Sequence, residues 1–176
     1  MEKIMNMIIA IICGITVSFH FGSIDNQVKS VGIKMIEASK IKNVGDNFYL
    51  DVESVVDLIR LQYYIIQENP NDYTKQEQNG LSYYLNNQGK TVKICGKATS
   101  LNLSFDKDYN VEYYYEDSNL RFVFIYDGLE EYRFYIYKNK CIRYIDSNGT
   151  ITDYNRGIDA NEISELGKFI EVGIKL

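Results

Sequence analysis

The sequence predicts an α+β fold: helices packed on an antiparallel β-meander sheet of five to seven strands, with a closing helix. Three observations predict it. Apolar residues recur at three- and four-residue spacing from Asp51 to Glu68. The period changes to two from Thr91 onward. The links between the alternating segments are short and carry Asp, Ser, Asn or Gly, which forces neighbouring strands to run antiparallel. A curved sheet around one helix, cystatin-like or NTF2-like, is the specific expectation.

The chain has 176 residues, 45% apolar and 24% charged, enough for one domain with a real core. Its net charge of -5 argues against nucleic acid as a partner, since phosphates demand basic surface.

Ile4 to Phe21 is the only long apolar run, with no charged side chain apart from His20. Its length reaches the short end of the range for a spanning helix. Residues 1–22 therefore read as a membrane anchor or signal segment. A cleaved signal peptide is one alternative, with Thr16 and Ser18 as a poor cleavage pair. A lipoprotein signal at Cys13 is another, against which Ile12 is the wrong neighbour. So short a tail defaults to the inside, placing the rest outside the cytoplasm as a single-pass cell-membrane protein.

Residues 23–50 read as a juxtamembrane helix and linker. Ile24, Val28, Val31, Met35 and Ile36 form an amphipathic stripe, and Asn43 to Asn47 a loop. Residues 51–176 form the α+β domain. Its first helix runs from an Asp51 cap to Glu68, with Val52, Val55, Val56, Ile59, Tyr63 and Ile66 as one stripe. Asn69-Pro70-Asn71-Asp72 stops it. Thr74 and Glu77 have capping-box spacing, which predicts a further helix to about Asn87 with Gly89 as its stop.

Short strands are expected at Thr91–Cys95 and Leu101–Phe105. Clearer ones follow at Val111–Glu116, Leu120–Tyr126, Tyr132–Lys138 and Cys141–Asp146, with a last at Thr150–Tyr154. Val111, Tyr113 and Tyr115 share a face. So do Leu120, Phe122, Phe124 and Tyr126; Tyr132, Phe134 and Ile136; and Ile142 and Tyr144. Aligning those faces sets Phe124 opposite Phe134, and Phe134 opposite Tyr144, with an odd, bulged loop at Gly128. The Asp51 helix is expected across Leu120, Phe122 and Phe124. Asp159 and Glu162 cap the closing helix, whose stripe is Ile163, Leu166 and Ile170.

Few chemistries fit the inventory. The one imidazole, His20, lies in the anchor, so Ser-His or Cys-His catalysis lacks its base. No G-x-S-x-G, P-loop or dinucleotide fingerprint occurs, no zinc spacing exists, and no cofactor is expected. Asp106, Asp108 and Asn110 match the start of a calcium loop, but Val111 and Asp117 stand where Gly and Glu belong. Asp127, Glu130 and Glu131 cluster at one turn, and Glu112 and Glu116 share a strand face, with no carboxylate pair set across a cleft. Cys95 and Cys141 are the two cysteines beyond the anchor, and a disulfide between them is possible in an oxidising compartment.

The second sheet face mixes Arg with Tyr. Arg121 should lie beside Tyr137 and Arg143 beside Tyr135, with Arg133 in the same set. Arg on Tyr makes a flat amphipathic surface suited to a peptide, a cell-wall polymer or an envelope protein. Cross-strand stabilisation of a solvated face is the plainer reading of the same pairs. The expected function is thus a non-catalytic extracytoplasmic binding module. The alternatives are a small-ligand carrier or enzyme in the sheet's concavity, or a structural partner of a membrane complex.

The stretch YYYEDSNLRFVFIYDGLEEYRFYIYKNKCIRYIDSNGTITDY, Tyr113 to Tyr154, carries Y-x-x-x-x-L-x-F-x-F, then R-F-Y, then I-R-Y-I-D-x-N-G. In this it resembles a group of uncharacterised membrane-anchored proteins of low-GC Gram-positive bacteria with a C-terminal Tyr-rich β-meander. The resemblance spans about Tyr83 to Tyr154. It implies an N-terminal anchor, a helix and a sheet module, and no known activity.

Overall fold

The computed structural model describes residues 51–176 and the backbone of two short strands before them, β1 (Lys42–Val44) and β2 (Asn47–Tyr49). The expected anchor over 1–22 and the amphipathic helix over Ile24 to Ile41 lie outside the described residues. Among the described residues no helix is long and apolar enough to cross a membrane. β1 and β2 pair where the sequence predicts a loop at Asn43 to Asn47, and β2 lies against β10.

Helix α1 spans Val52–Glu68, with Asp51 as its cap: the carboxylate accepts the Ser54 N–H at 3.4 Å and the Ser54 hydroxyl at 2.9 Å. Eight strands follow: β3 (Thr74–Gln78), β4 (Leu81–Leu85), β5 (Thr91–Lys97), β6 (Asn110–Glu116), β7 (Asn119–Tyr126), β8 (Glu131–Tyr137), β9 (Lys140–Ile145) and β10 (Ile151–Ile158). They form one antiparallel meander in the order β10-β9-β8-β7-β6-β5-β4-β3. Helix α2 (Gly167–Lys175) ends the chain. The α+β meander is as expected, with eight strands rather than five to seven.

The extra strands are β3 and β4, which replace the helix expected over 74–87. Thr74 and Glu77 do not cap a helix. Asn79-Gly80 closes a two-residue hairpin in which both residues have positive φ, 54° and 75°. That is the turn whose twist matches two antiparallel strands, and Asn-Gly adopts it most readily. The strand expected at Leu101–Phe105 is also absent. A 3-10 turn over Ala98–Leu101 stands there, and Leu101, Leu103 and Phe105 pack inward without a ladder. Asp159 and Glu162 do form a capping box, but it caps a 3-10 turn, and α2 begins later at Gly167.

The sheet is covered on both faces, by α2 on one and α1 on the other. Beneath α2 lie Val111, Tyr113, Tyr115, Leu120, Val123, Ile125, Phe134 and Ile136 with Phe169 and Ile170. Beneath α1 lie Tyr114, Phe122, Tyr135, Ile142 and Ile145 with Val52, Val55, Val56, Ile59 and Ile66. Two bulges decide which residue goes where. Arg121 is the extra residue between Tyr114↔Phe122 and Tyr115↔Leu120, so Leu120 joins the α2 face while Phe122 stays under α1. Ile142 is extra between Tyr135↔Arg143 and Ile136↔Cys141, which parts Ile142 from Tyr144. Each bulge sets two residues against one and breaks the strict alternation. Phe134 opposes Tyr144 as expected, but Val123, not Phe124, opposes Phe134. With Leu120 already switched, no odd loop is needed at Gly128. Tyr126 pairs with Glu131 across four residues.

Candidate functional site

α1 crosses the sheet diagonally, and this sorts the Arg/Tyr face into three parts. At its centre Tyr135 is buried, and its hydroxyl accepts the Arg60 Nε–H at 3.3 Å. Arg143 sits beside Tyr135 in register and is only 4% exposed. It donates to both Asp153 oxygens at 2.5 and 2.7 Å and to Glu53 on α1 at 2.6 Å. These bonds hold the Asp153 and Glu53 carboxyls below their ordinary range. Tyr135 and Arg143 thus tie α1 to the sheet and present no surface.

Arg121 and Tyr137 lie on one side of α1. The Arg121 guanidinium stands over the Tyr137 ring at 5.8 Å and pairs with Glu116 at 2.9 Å. Burial pushes the Glu116 carboxyl up, and Arg121 pulls against it. The Arg121 and Glu116 side chains are largely buried, so this pair too is internal.

On the other side of α1 the face is open. Arg133 lies over the Phe124 ring at 5.4 Å and pairs with Glu131. Phe124 and Tyr126 stack at 5.1 Å with 22° between their planes. All three are half-buried. On α1 itself Tyr63 and Tyr64 stand edge to face at 5.3 Å, and Tyr64 is 56% exposed. Beyond Tyr126 and Arg133 a shallow trough opens between two turns, lined by Gly128, Leu129, Asp146 and Asn148.

Next to Phe124 a polar network closes the C-terminal end of α1, and the sequence did not reveal it. Lys93 pairs with Glu112 at 3.0 Å. The Tyr114 hydroxyl donates to Glu112. Gln67 Nε2 donates to Glu112 at 3.0 Å and to the Tyr114 hydroxyl at 2.6 Å. Lys93 also lies 5.6 and 5.3 Å from the Tyr84 and Tyr114 ring centres. Burial above all drives the Tyr114 phenol upward, with Glu112 adding to it, so it stays protonated and donates. Lys93 falls within the strand expected at Thr91–Cys95, and the sequence does not say what covers it. The covering helix residue, Gln67, carries no sequence signal.

Cys95 and Cys141 do not pair. Three strands separate β5 from β9, about 19 Å at ordinary strand spacing, and the thiols face opposite sides of the sheet. Burial raises both thiols, Cys141 to about 12. The acidic candidates are likewise engaged. Asp108 pairs with Lys97 at 2.6 Å. Asp127 accepts the Leu129 and Glu130 N–H groups at 2.9 and 2.8 Å. Glu130 pairs with Lys107 at 2.6 Å. Among the described residues no three His, Cys, Asp or Glu side chains converge as a metal site.

No protein-family model matches the chain, and no curated protein matches it. Among solved structures, a mutant of S. aureus TarM in complex with fondaparinux, alpha-GlcNAc-glycerol and UDP superposes with TM-score 0.37 and 12% identity, over 84% of this chain and 35% of that one. A second TarM crystal structure gives 0.36 and 13% with the same coverage. The chain spans about a third of the TarM length, and a likeness at that score carries no argument.

Proposed function

We propose that the chain is a non-catalytic binding module, held at the outer face of the membrane by its N-terminal segment. Its working surface is the aromatic floor beside α1: Phe124, Tyr126 and Arg133, with Tyr63 and Tyr64 as the wall. One observation carries the reading. α1 leaves a stacked aromatic pair half-exposed, with a guanidinium on it, beside a centre where Tyr135 and Arg143 are buried. Aromatic and Arg side chains are what binding surfaces concentrate, because each offers a large rigid contact at low entropic cost. The floor is open and flat and runs into the trough, which suits an extended envelope polymer or peptide.

The test is co-sedimentation of the detergent-solubilised full chain with isolated bacterial cell walls, and titration with wall-derived peptides. Phe124→Ala with Tyr126→Ala should weaken binding at least tenfold, about 1.4 kcal/mol or more, while near-UV circular dichroism stays native. A double variant that binds as the parent does would refute the surface. Retention on walls stripped of polymer would point to a protein partner.

A further inference from the structure

Among the described residues β3 is the outermost strand, and it is built as an open template. All five of its residues, Thr74 to Gln78, are exposed. It pairs with β4 in an unbroken register and contains no proline or bulge. Natural edge strands are blunted by bulges, prolines or charged side chains, lysine above all, because free N–H and C=O groups recruit another strand. The opposite edge is blunted in this way: β10 loses register between Asp153 and Ile158, Gly157 there has φ +67°, and β2 lies against it. On β3 the single lysine is neutralised, since Lys75 pairs with Glu77 at 2.8 Å on the same face.

The hairpin fixes which backbone groups are free. A two-residue turn is closed by a hydrogen-bonded pair, here Gln78↔Leu81. Hydrogen-bonded and non-hydrogen-bonded pairs then alternate. Gln76 and Thr74 therefore bond toward β4, and Lys75 and Glu77 turn their N–H and C=O groups outward.

We propose that β3 is a homodimer interface, pairing antiparallel with β3 of a second copy about a two-fold axis at Gln76. That centre sets Lys75 opposite the partner's Glu77, and Glu77 opposite the partner's Lys75. These are the residues whose backbone groups are free, so both pairs exchange hydrogen bonds and each joins opposite charges. Gln76 meets the partner's Gln76, and Thr74 meets the partner's Gln78. A centre at Lys75 would face lysine with lysine, and one at Glu77 would face glutamate with glutamate. Like charges directly opposite destabilise a ladder, so the charges select one register. The interface is isologous, as two-fold dimers require. A five-residue strand buries less than a standard interface, so the dimer is weak and exchanges with monomer.

The test uses the full chain in detergent with Cys13 and Cys95 changed to serine. Gln76→Cys puts two thiols across a close non-hydrogen-bonded pair, and copper-phenanthroline should link them into a covalent dimer. The rate should exceed about tenfold that of Asn148→Cys, an exposed control on another turn. In the Gln76→Cys chain, Lys75→Glu or Glu77→Lys alone should slow linking about tenfold, since each leaves like charges opposed. The exchanged pair Lys75→Glu with Glu77→Lys should restore it. Linking at the control rate, or no recovery in the exchanged pair, would overturn the dimer. An added extended peptide that saturably protects the β3 amides from hydrogen exchange, where the Gln76→Cys chain does not link to itself, would assign the edge to another protein and overturn the dimer as well.

Discussion

Gly173 on α2 offers the sharpest test of how the helix is seated. A methyl group there would lie 2.6 and 2.7 Å from two carbons of the Tyr113 ring and 3.1 Å from Leu120. Tyr113 has no exposed surface and cannot swing into solvent. Lifting α2 instead would stretch the bond from the Tyr115 hydroxyl to the Gly173 carbonyl, 2.9 Å long. Overpacking of this kind costs about 1–3 kcal/mol. Alanine returns about 1 kcal/mol of helix propensity. Gly173→Ala should therefore destabilise by up to about 2 kcal/mol, lowering the melting temperature by up to about 8 °C for a domain of this size. Unfolding of the full chain, followed by near-UV circular dichroism of its tyrosines, reads this directly. Tyr113→Leu removes the obstructing ring, so the double variant should be more stable than the two single losses predict, by about 1 kcal/mol. A Gly173→Ala chain more stable than the parent, or strictly additive losses, would show that α2 does not press on Tyr113.

Three further outcomes follow from the same geometry. Glu53 and Asp153 have folded-state pKa values depressed by Arg143, so their contribution is full above the unfolded carboxylate range, about pH 4–5, and is lost as pH falls through the folded values. Arg143→Leu should flatten the acid limb of the urea midpoint against pH, and an unchanged limb would refute the linkage. Thiol labelling of the native chain should modify half-buried Cys95 slowly and Cys141 only after unfolding, with no Cys95–Cys141 disulfide on non-reducing peptide mapping. Gly80→Ala should destabilise by about 1 kcal/mol or more, because φ is +75° and the new methyl would sit 2.8 Å from Ser100 Oγ. An unchanged stability in urea would show that the turn accepts a side chain at Gly80 without strain.

The parts of the fold that rest on a single local period were legible in the sequence. α1 follows its Val52, Val55, Val56, Ile59 and Ile66 stripe and its Asp51 cap. β6 and β8 follow their alternation, with Val111, Tyr113 and Tyr115 on one face and Phe134 and Ile136 beside them. The local pattern misleads where two signals compete. Thr74 and Glu77 suit a helix start, yet Asn79-Gly80 a few residues on suits a hairpin, and the ladder of β4 with β5 decides for the hairpin. The pattern also misleads where one inserted residue resets a face. Nothing about Arg121 or Ile142 as residues announces a bulge, and each displaces the alternation of everything beyond it.

The candidate surface depends on such an insertion. At the Arg121 bulge the Tyr115 carbonyl accepts Gln62 Nε2 at 3.0 Å, from a helix side chain only 2% exposed. A buried carbonyl without a partner would cost about 1–3 kcal/mol, so this bond pins the middle of α1. Glu53 pins its first turn through Arg143, and Gln67 pins its last through Glu112 and Tyr114. Together with Arg60 on the Tyr135 hydroxyl, these side chains fix the line along which α1 crosses the sheet. That line covers Tyr135 and Arg143 and leaves Phe124, Tyr126 and Arg133 beside it. The Arg/Tyr composition of the face was visible in the sequence. Which half of it meets solvent is decided by side chains on a helix some fifty residues away in the chain. Altering Gln62 should therefore change ligand access at Phe124 without touching a single residue of the floor.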